Sequence, residues 1–69
     1  MITYLVELEQ EDDGRWIADI PDLPGVMVYG AMPEEARTKV QALALRVVAD
    51  RLEHGESEND LLSIAFRAA

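Results

Sequence analysis

The sequence predicts an α+β fold with the element order β-β-β-α-β, in which a small antiparallel sheet carries one helix packed on a face. Apolar and polar residues alternate over residues 2–11, whereas apolar residues recur every three or four positions after Pro33. These are the periods of a half-buried strand and of an amphipathic helix. A proline-rich corner, Pro21–Gly25, lies between the two patterns. The 69 residues contain no repeat or linker, so residues 1–69 are expected to form a single domain.

The first two strands form a predicted hairpin. In residues 2–8 the even positions are apolar and most odd positions are polar, so one face of the first strand is expected to be buried. Residues 11–14 follow as a turn, in which Gly14 can supply a positive φ angle. Residues 15–20 then form the returning strand, with Trp16 and Ala18 on its core side.

The corner restricts the backbone at each of its positions. Pro21 ends the second strand because it has no N–H for the ladder. Asp22 is expected to bond its own backbone two residues on, and Pro24 with Gly25 suits the centre of a type II turn. Leu23 is either a plug that closes the core or a protruding contact, and the gain from burying an apolar side chain favours the plug.

A third strand and a helix follow the corner. Val26–Tyr29 is β-branched and aromatic enough for a strand, which Gly30 closes. Pro33 suits the first helical position, and Glu34 and Glu35 suit the positive end of the helix dipole. The predicted apolar stripe of the helix comprises Ala36, Val40, Leu43, Ala44, Val47 and Val48, widened by Leu45 and Leu52.

The chain is expected to end with a fourth strand. Gly55 suits a left-handed helix cap, and residues 56–60 are polar enough for a loop. Leu62, Ile64 and Phe66 then alternate with other residues, which predicts a short strand with these three side chains facing the core.

The charge of the chain favours some partners over others. Fourteen acidic residues against six basic ones give a formal charge of −8. This charge repels phosphate backbones, so no direct nucleic-acid binding is expected. A basic protein partner would be attracted. The alternative, that the acids only keep a small protein soluble, stays open.

The size of the chain points to association. A domain of this length buries a small core, and the chain has no cysteine for a stabilising disulfide. We therefore expect a homo-oligomer, either a dimer or a tetramer. No apolar run approaches the roughly 20 residues that span a bilayer, and the first residues lack a secretory pattern. No membrane contact and a cytoplasmic location are expected.

Catalytic chemistry has little support in the sequence. His54 is the single histidine, and a histidine near a helix end usually acts as a favourable cation there. The acids available for a metal site have structural explanations in turns, on a strand face or at the helix start. They are Asp12, Asp13, Asp19, Asp22, Glu34 and Glu35. We expect no catalytic residue, no metal, no cofactor and no enzyme activity.

Several of these residues stand at the spacing of a known family. They are Tyr4, Asp12–Gly14, Trp16, Ala18, Ile20–Val26, Gly30 and Glu34–Ala36. This pattern covers roughly residues 4–50 and resembles the HicB-like antitoxin family. The resemblance implies a partial ribonuclease H-like fold. It also implies a role in a type II toxin-antitoxin system, in which the protein blocks a small basic, HicA-like toxin that cleaves messenger RNA and has a double-stranded-RNA-binding-like fold. The family-motif residues with a structural role are Gly14, Pro21, Asp22, Leu23, Pro24, Gly25, Gly30, Glu35 and Ala36.

The chain departs from the family pattern in two ways. Full antitoxin-repressors carry a C-terminal DNA-binding module, for which this sequence leaves no room, so autoregulation through DNA is not expected of this chain alone. The family usually has a Thr or Ser as helix cap, whereas this chain has Met32 before Pro33. A missing capping oxygen costs typically ~1 kcal/mol, which the proline and the glutamates offset in part.

Two groups of residues are the candidate partner-binding site. Tyr29 and Trp16 either cover the sheet or anchor a partner. The acidic group lies along the hairpin, and the other group shares a face of the third strand. The candidates are Glu7, Glu9, Glu11, Asp12 and Asp13, together with Met27 and Tyr29. Two other functions stay open: an orphan oligomeric binding module without a toxin, and a degenerate metal-dependent nuclease.

Overall fold

The computed structural model describes residues 2–55 and 63–69. The strands are β1 (Ile2–Gln10), β2 (Trp16–Asp19), β3 (Met27–Gly30) and β4 (Ile64–Ala68), and the helix α1 is Pro33–Glu53. The α+β class and the β-β-β-α-β order are as predicted. Leu62 and the predicted loop at 56–60 lie outside the described residues.

The sheet is mixed, so the prediction of an antiparallel sheet is wrong for its last strand. The strand order is β3-β2-β1-β4, with antiparallel β1–β2 and β2–β3 pairs and a parallel β1–β4 pair. Two hairpin connections make β3 parallel to β1, and the long helix then carries the chain back along the sheet. The strand after the helix therefore runs in the direction of β1, as in a crossover connection.

The long strand β1 joins the two halves of the sheet. Its first half, Ile2–Val6, is in register with β4. Its second half, Glu7–Gln10, is in register with β2. In the described residues, each half of β1 therefore pairs with a strand on one side only: β4 beside the first half and β2 beside the second.

The core lies between one face of the sheet and the helix, which packs over β3, β2 and β1. The predicted apolar stripe is correct in its centre but too wide, because Leu45 and Leu52 are 47% and 44% exposed. The described helix is not long and apolar enough to cross a membrane. The buried residues are Val6, Ala18, Ile20, Leu23, Val26, Ala36, Val40, Ala44 and Val48.

The proline corner consists of two consecutive β-turns that share Leu23. The Leu23 N–H donates to the Ile20 carbonyl (2.9 Å), and the Val26 N–H donates to the Leu23 carbonyl (3.0 Å). Gly25 has φ of 87°, as the predicted type II turn requires. Leu23 is 2% exposed and is the predicted plug. Asp22 makes no bond to the backbone two residues on, because that residue is a proline, which has no N–H.

The junction between β3 and the helix explains the motif residues Gly30, Glu35 and Ala36. A Cβ atom on Gly30 would lie 2.7 Å from the backbone nitrogen of Ala36, so the first helical turn packs directly on this glycine. Met32 gives no side-chain cap. Glu35 reaches back instead, and its Oε1 accepts the N–H of Ala31 at 2.9 Å. This contact satisfies a backbone donor that precedes the helix.

Candidate partner-binding surface

The candidate residues on the strands meet on the face of the sheet that lies opposite the helix. The register places Glu9, Ile17 and Tyr29 in one row across three strands. Alternation along the strands puts these side chains on the side away from the buried Val6 and Ala18. We call this surface the outer face and define it as Leu5, Glu7, Glu9, Ile17, Asp19, Met27 and Tyr29.

A second row of the outer face runs from Glu7 through Asp19 to Met27. Glu7 and Asp19 are directly opposite each other on neighbouring strands, where two like charges are destabilising. In the described part of the chain, neither carboxylate has a lysine, arginine or histidine within salt-bridge distance. The outer face therefore holds two opposed carboxylates that form no salt bridge in the described residues.

Large apolar side chains lie among these acids. Met27 is 53% exposed and Tyr29 is 41% exposed, as is Leu5. Ile17, which is half-buried, lies between Glu9 and Tyr29. No described element of the chain covers these side chains, so the helix covers one face of the third strand and leaves Met27 and Tyr29 exposed on the other.

The hairpin turn extends the outer face with an ordered acidic tip. The Asp13 carboxylate accepts the backbone N–H of Arg15 at 3.0 Å and its Nε at 2.7 Å. The Arg15 guanidinium carbon lies 4.4 Å from the centre of the Tyr29 ring, within the range of a cation–π contact. The backbone and side-chain hydrogen bonds from Arg15 hold the pKa of Asp13 below its usual value. Together with Glu11 and Asp12, these residues line an open hollow of about 290 Å³.

The structure unites the two predicted groups into one surface. Glu7 and Glu9 share the outer face with Met27 and Tyr29, while the remaining acids lie at the adjoining turn. Asp19 was not among the predicted binding residues. Alternation within residues 15–20 predicts the sheet face on which Asp19 lies. Its position between Glu7 and Met27 follows only from the strand register. Trp16 lies on the other face, half-buried against the core, and so covers the sheet.

The acids considered for a metal site do not converge. Asp22 is exposed at the corner, whereas Glu35 bonds the backbone before the helix. Within residues 2–55 and 63–69, no group of three or more His, Cys, Asp or Glu side chains is close enough to hold a metal ion. His54 contacts Asp50 of its own helix, with Nδ1 2.8 Å from the carbonyl oxygen.

Comparisons of the chain with protein-family models, with curated proteins and with solved structures found no match.

Proposed function

We propose that the protein is an antitoxin-like member of a type II toxin-antitoxin system, which binds and neutralises a small basic toxin that cleaves messenger RNA in the cytoplasm. The resemblance of its motifs to the HicB-like family suggests the class of partner. The opposed carboxylates Glu7 and Asp19 on the outer face, which form no salt bridge in the described residues, are the observation that carries the proposal.

This pair favours a basic partner for a physical reason. Opposed carboxylates on neighbouring strands lower the stability of the free protein, and a lysine or arginine of a partner placed between them removes that repulsion. Binding then gains from the charge pairing and from the relief of repulsion together. A net charge of −8 adds long-range attraction and a faster encounter at low salt.

The apolar side chains of the outer face supply the short-range part of binding. Aromatic side chains with part of their surface exposed are common anchors at interface centres. Tyr29 is held in place by Arg15 above its ring, so little side-chain freedom is lost when a partner covers it. Met27 beside it can adapt its shape to the partner.

The test begins with co-expression of the protein and the product of the adjacent gene, followed by co-purification and an RNA-cleavage assay of that product. We expect a complex and inhibition of cleavage. Glu7→Lys is expected to reduce the association rate at least tenfold at low salt, with a smaller difference at high salt because exposed charges are screened. The same substitution removes the repulsion with Asp19, so the melting temperature of the free protein should stay equal or rise.

Glu53→Lys is the matched control, because it makes the same charge change on the exposed end of the helix. Its effect on the association rate should be below about threefold, since it acts through net charge alone. Equal effects of Glu7→Lys and Glu53→Lys would show that the outer face is not the binding surface. Failure of the wild-type protein to bind any small basic protein encoded beside it would refute the antitoxin role and favour an orphan binding module.

A further inference from the structure

The last strand, β4, has a free edge with a regular set of hydrogen-bonding groups. The Ile2 N–H donates to the Ser63 carbonyl, and the Ala69 N–H donates to the Val6 carbonyl, both at 3.0 Å. Odd residues of β4 therefore direct their backbone groups at β1. Since backbone direction alternates along a strand, the N–H and C=O groups of Ile64, Phe66 and Ala68 point away from the sheet. No other strand in the described residues pairs with this edge.

The edge is complementary to itself. If two copies of β4 pair antiparallel about a two-fold axis at Phe66, Ile64 of one copy is opposite Ala68 of the other. The outward-facing residues Ile64, Phe66 and Ala68 then form three hydrogen-bonded pairs between the copies. Each pair exchanges two backbone hydrogen bonds, which gives six in total. A large side chain meets a small one at each end, and Arg67 is opposite Ala65, so like charges are not directly opposed.

The side chains at this edge lack cover within one chain. The helix packs mainly over β1, β2 and β3, and Ile64 and Phe66 are only half-buried. The Phe66 ring packs against Tyr4, with 6.1 Å between the ring centres. A second Phe66 across the two-fold axis extends this aromatic cluster and removes further apolar surface from water.

The distribution of charge permits this pairing. β4 is in register with the uncharged segment Ile2–Val6, whereas the acids begin at Glu7. From standard strand spacings, the two Glu7 residues of such a dimer are about 24 Å apart, well beyond the Debye length at physiological salt. The edge of β3 is less suitable, because only Met27 and Tyr29 have backbone groups that point outward there, and it lies beside the acidic hairpin.

We propose that two copies of the chain associate through antiparallel pairing of their β4 strands, centred on Phe66, to form one continuous eight-stranded sheet. The inference goes beyond the proposed function, since a protein without a toxin partner would pair in the same way. It leaves the outer face of each copy accessible.

Analytical ultracentrifugation from micromolar to millimolar concentration tests the pairing with Ala68→Pro and Ala68→Thr. Proline at this position removes an outward N–H and leaves the bonds to β1 in place, as proline at a sheet edge does, while threonine keeps the donor. We expect a concentration-dependent dimer for the wild type, an association constant lowered about tenfold or more by proline, and a change below about threefold with threonine. Circular dichroism at low concentration checks that the variants fold.

Hydrogen exchange of the unmodified protein gives an independent measurement. The amides of Ile64, Phe66 and Ala68 should exchange more slowly as concentration rises, because pairing protects them. A wild type that stays monomeric at millimolar concentration overturns the proposal, as does a dimer that Ala68→Pro leaves intact. Loss of the dimer through Leu52→Glu with no effect of Ala68→Pro would assign self-association to the exposed helix face and overturn it equally.

Discussion

Substitution of Gly30 by alanine should destabilise the protein because of contact with the helix. The new Cβ would lie 2.7 Å from the Ala36 nitrogen and 3.1 Å from its Cα, and these backbone atoms cannot rotate away. The first helical turn would have to retreat by about 0.7 Å, and overpacking of this kind costs typically 1–3 kcal/mol. Alanine also lowers the conformational entropy of the unfolded chain, which stabilises the folded state by about 0.4–1 kcal/mol. We expect a net loss of about 1–2 kcal/mol in the free energy of unfolding, measured by urea denaturation, or a melting temperature lower by roughly 4–16 °C.

Gly14 provides the control, because it needs glycine for a different reason. Its φ is +90°, and nothing lies within 4 Å of a Cβ placed there. Asn tolerates positive φ better than Ala, so Gly14→Asn should destabilise less than Gly14→Ala. The order should reverse at Gly30, where Asn is larger and the space is closed. A Gly30→Ala protein as stable as the wild type, or the same Asn–Ala order at both sites, would refute the close-approach explanation.

Two further predictions concern the corner and the helix start. Leu23→Ala should lower the free energy of unfolding by about 2–5 kcal/mol, because it leaves a cavity beneath the corner. In the same denaturation experiment Met27→Ala, at an exposed site, should change this free energy by less than about 1 kcal/mol. Similar losses for the two variants would contradict the role of Leu23 as plug. The hydrogen bond from the Ala31 N–H, and to a smaller extent the Lys39 ammonium, lower the pKa of Glu35 from its usual 4.5. Glu35 therefore stabilises the protein above pH 4.5, and this contribution is lost as the pH falls through the lower pKa of the folded state. Glu35→Gln should therefore lower the melting temperature at pH 7 but not near pH 2, and an equal difference at both pH values would show that charge is not the cause.

The turns and local strand patterns could be predicted from the sequence because each depends on a few neighbouring residues. Gly25 adopts positive φ because a type II turn after proline requires it, and Leu23 points inward because two turns hold it there. The predicted backbone bond of Asp22 is wrong, because Pro24, two residues on, has no N–H to donate.

The width of the helix stripe could not be predicted, because apolar residues beside and beyond the buried row have the same spacing as those within it. Leu45 and Leu52 fit the helical period as well as Val40 and Val48 do, and the pattern does not say where the contact with the sheet stops. Small residues on the buried side, Ala36 above all, let the helix approach the sheet closely. The larger leucines are left outside.

The pairing of β4 with β1 and the place of Asp19 required tertiary information. Alternation indicates that a strand exists but does not say which strand of the sheet it pairs with. Asp19 acquires its interest only from being opposite Glu7, a relation set by the length of the hairpin turn. The sequence therefore predicted which residues face outward on each strand. It did not predict that the acidic and apolar candidates lie side by side on one surface.

The charge pattern favours a basic partner on the outer face and a second copy of the chain at the edge of β4. A two-fold dimer through the outer face would bring Glu7, Glu9 and Asp19 of one copy against the same acids of the other, and like charges brought together at an interface are unfavourable. The exposed Met27 and Tyr29 on that face therefore suit a basic partner better than a second copy. The edge of β4 has no acid, and its free backbone groups match those of an identical strand. A dimer joined at this edge presents two outer faces on one continuous sheet, so it should bind two partner molecules, and a 2:2 stoichiometry by light scattering tests both interfaces at once.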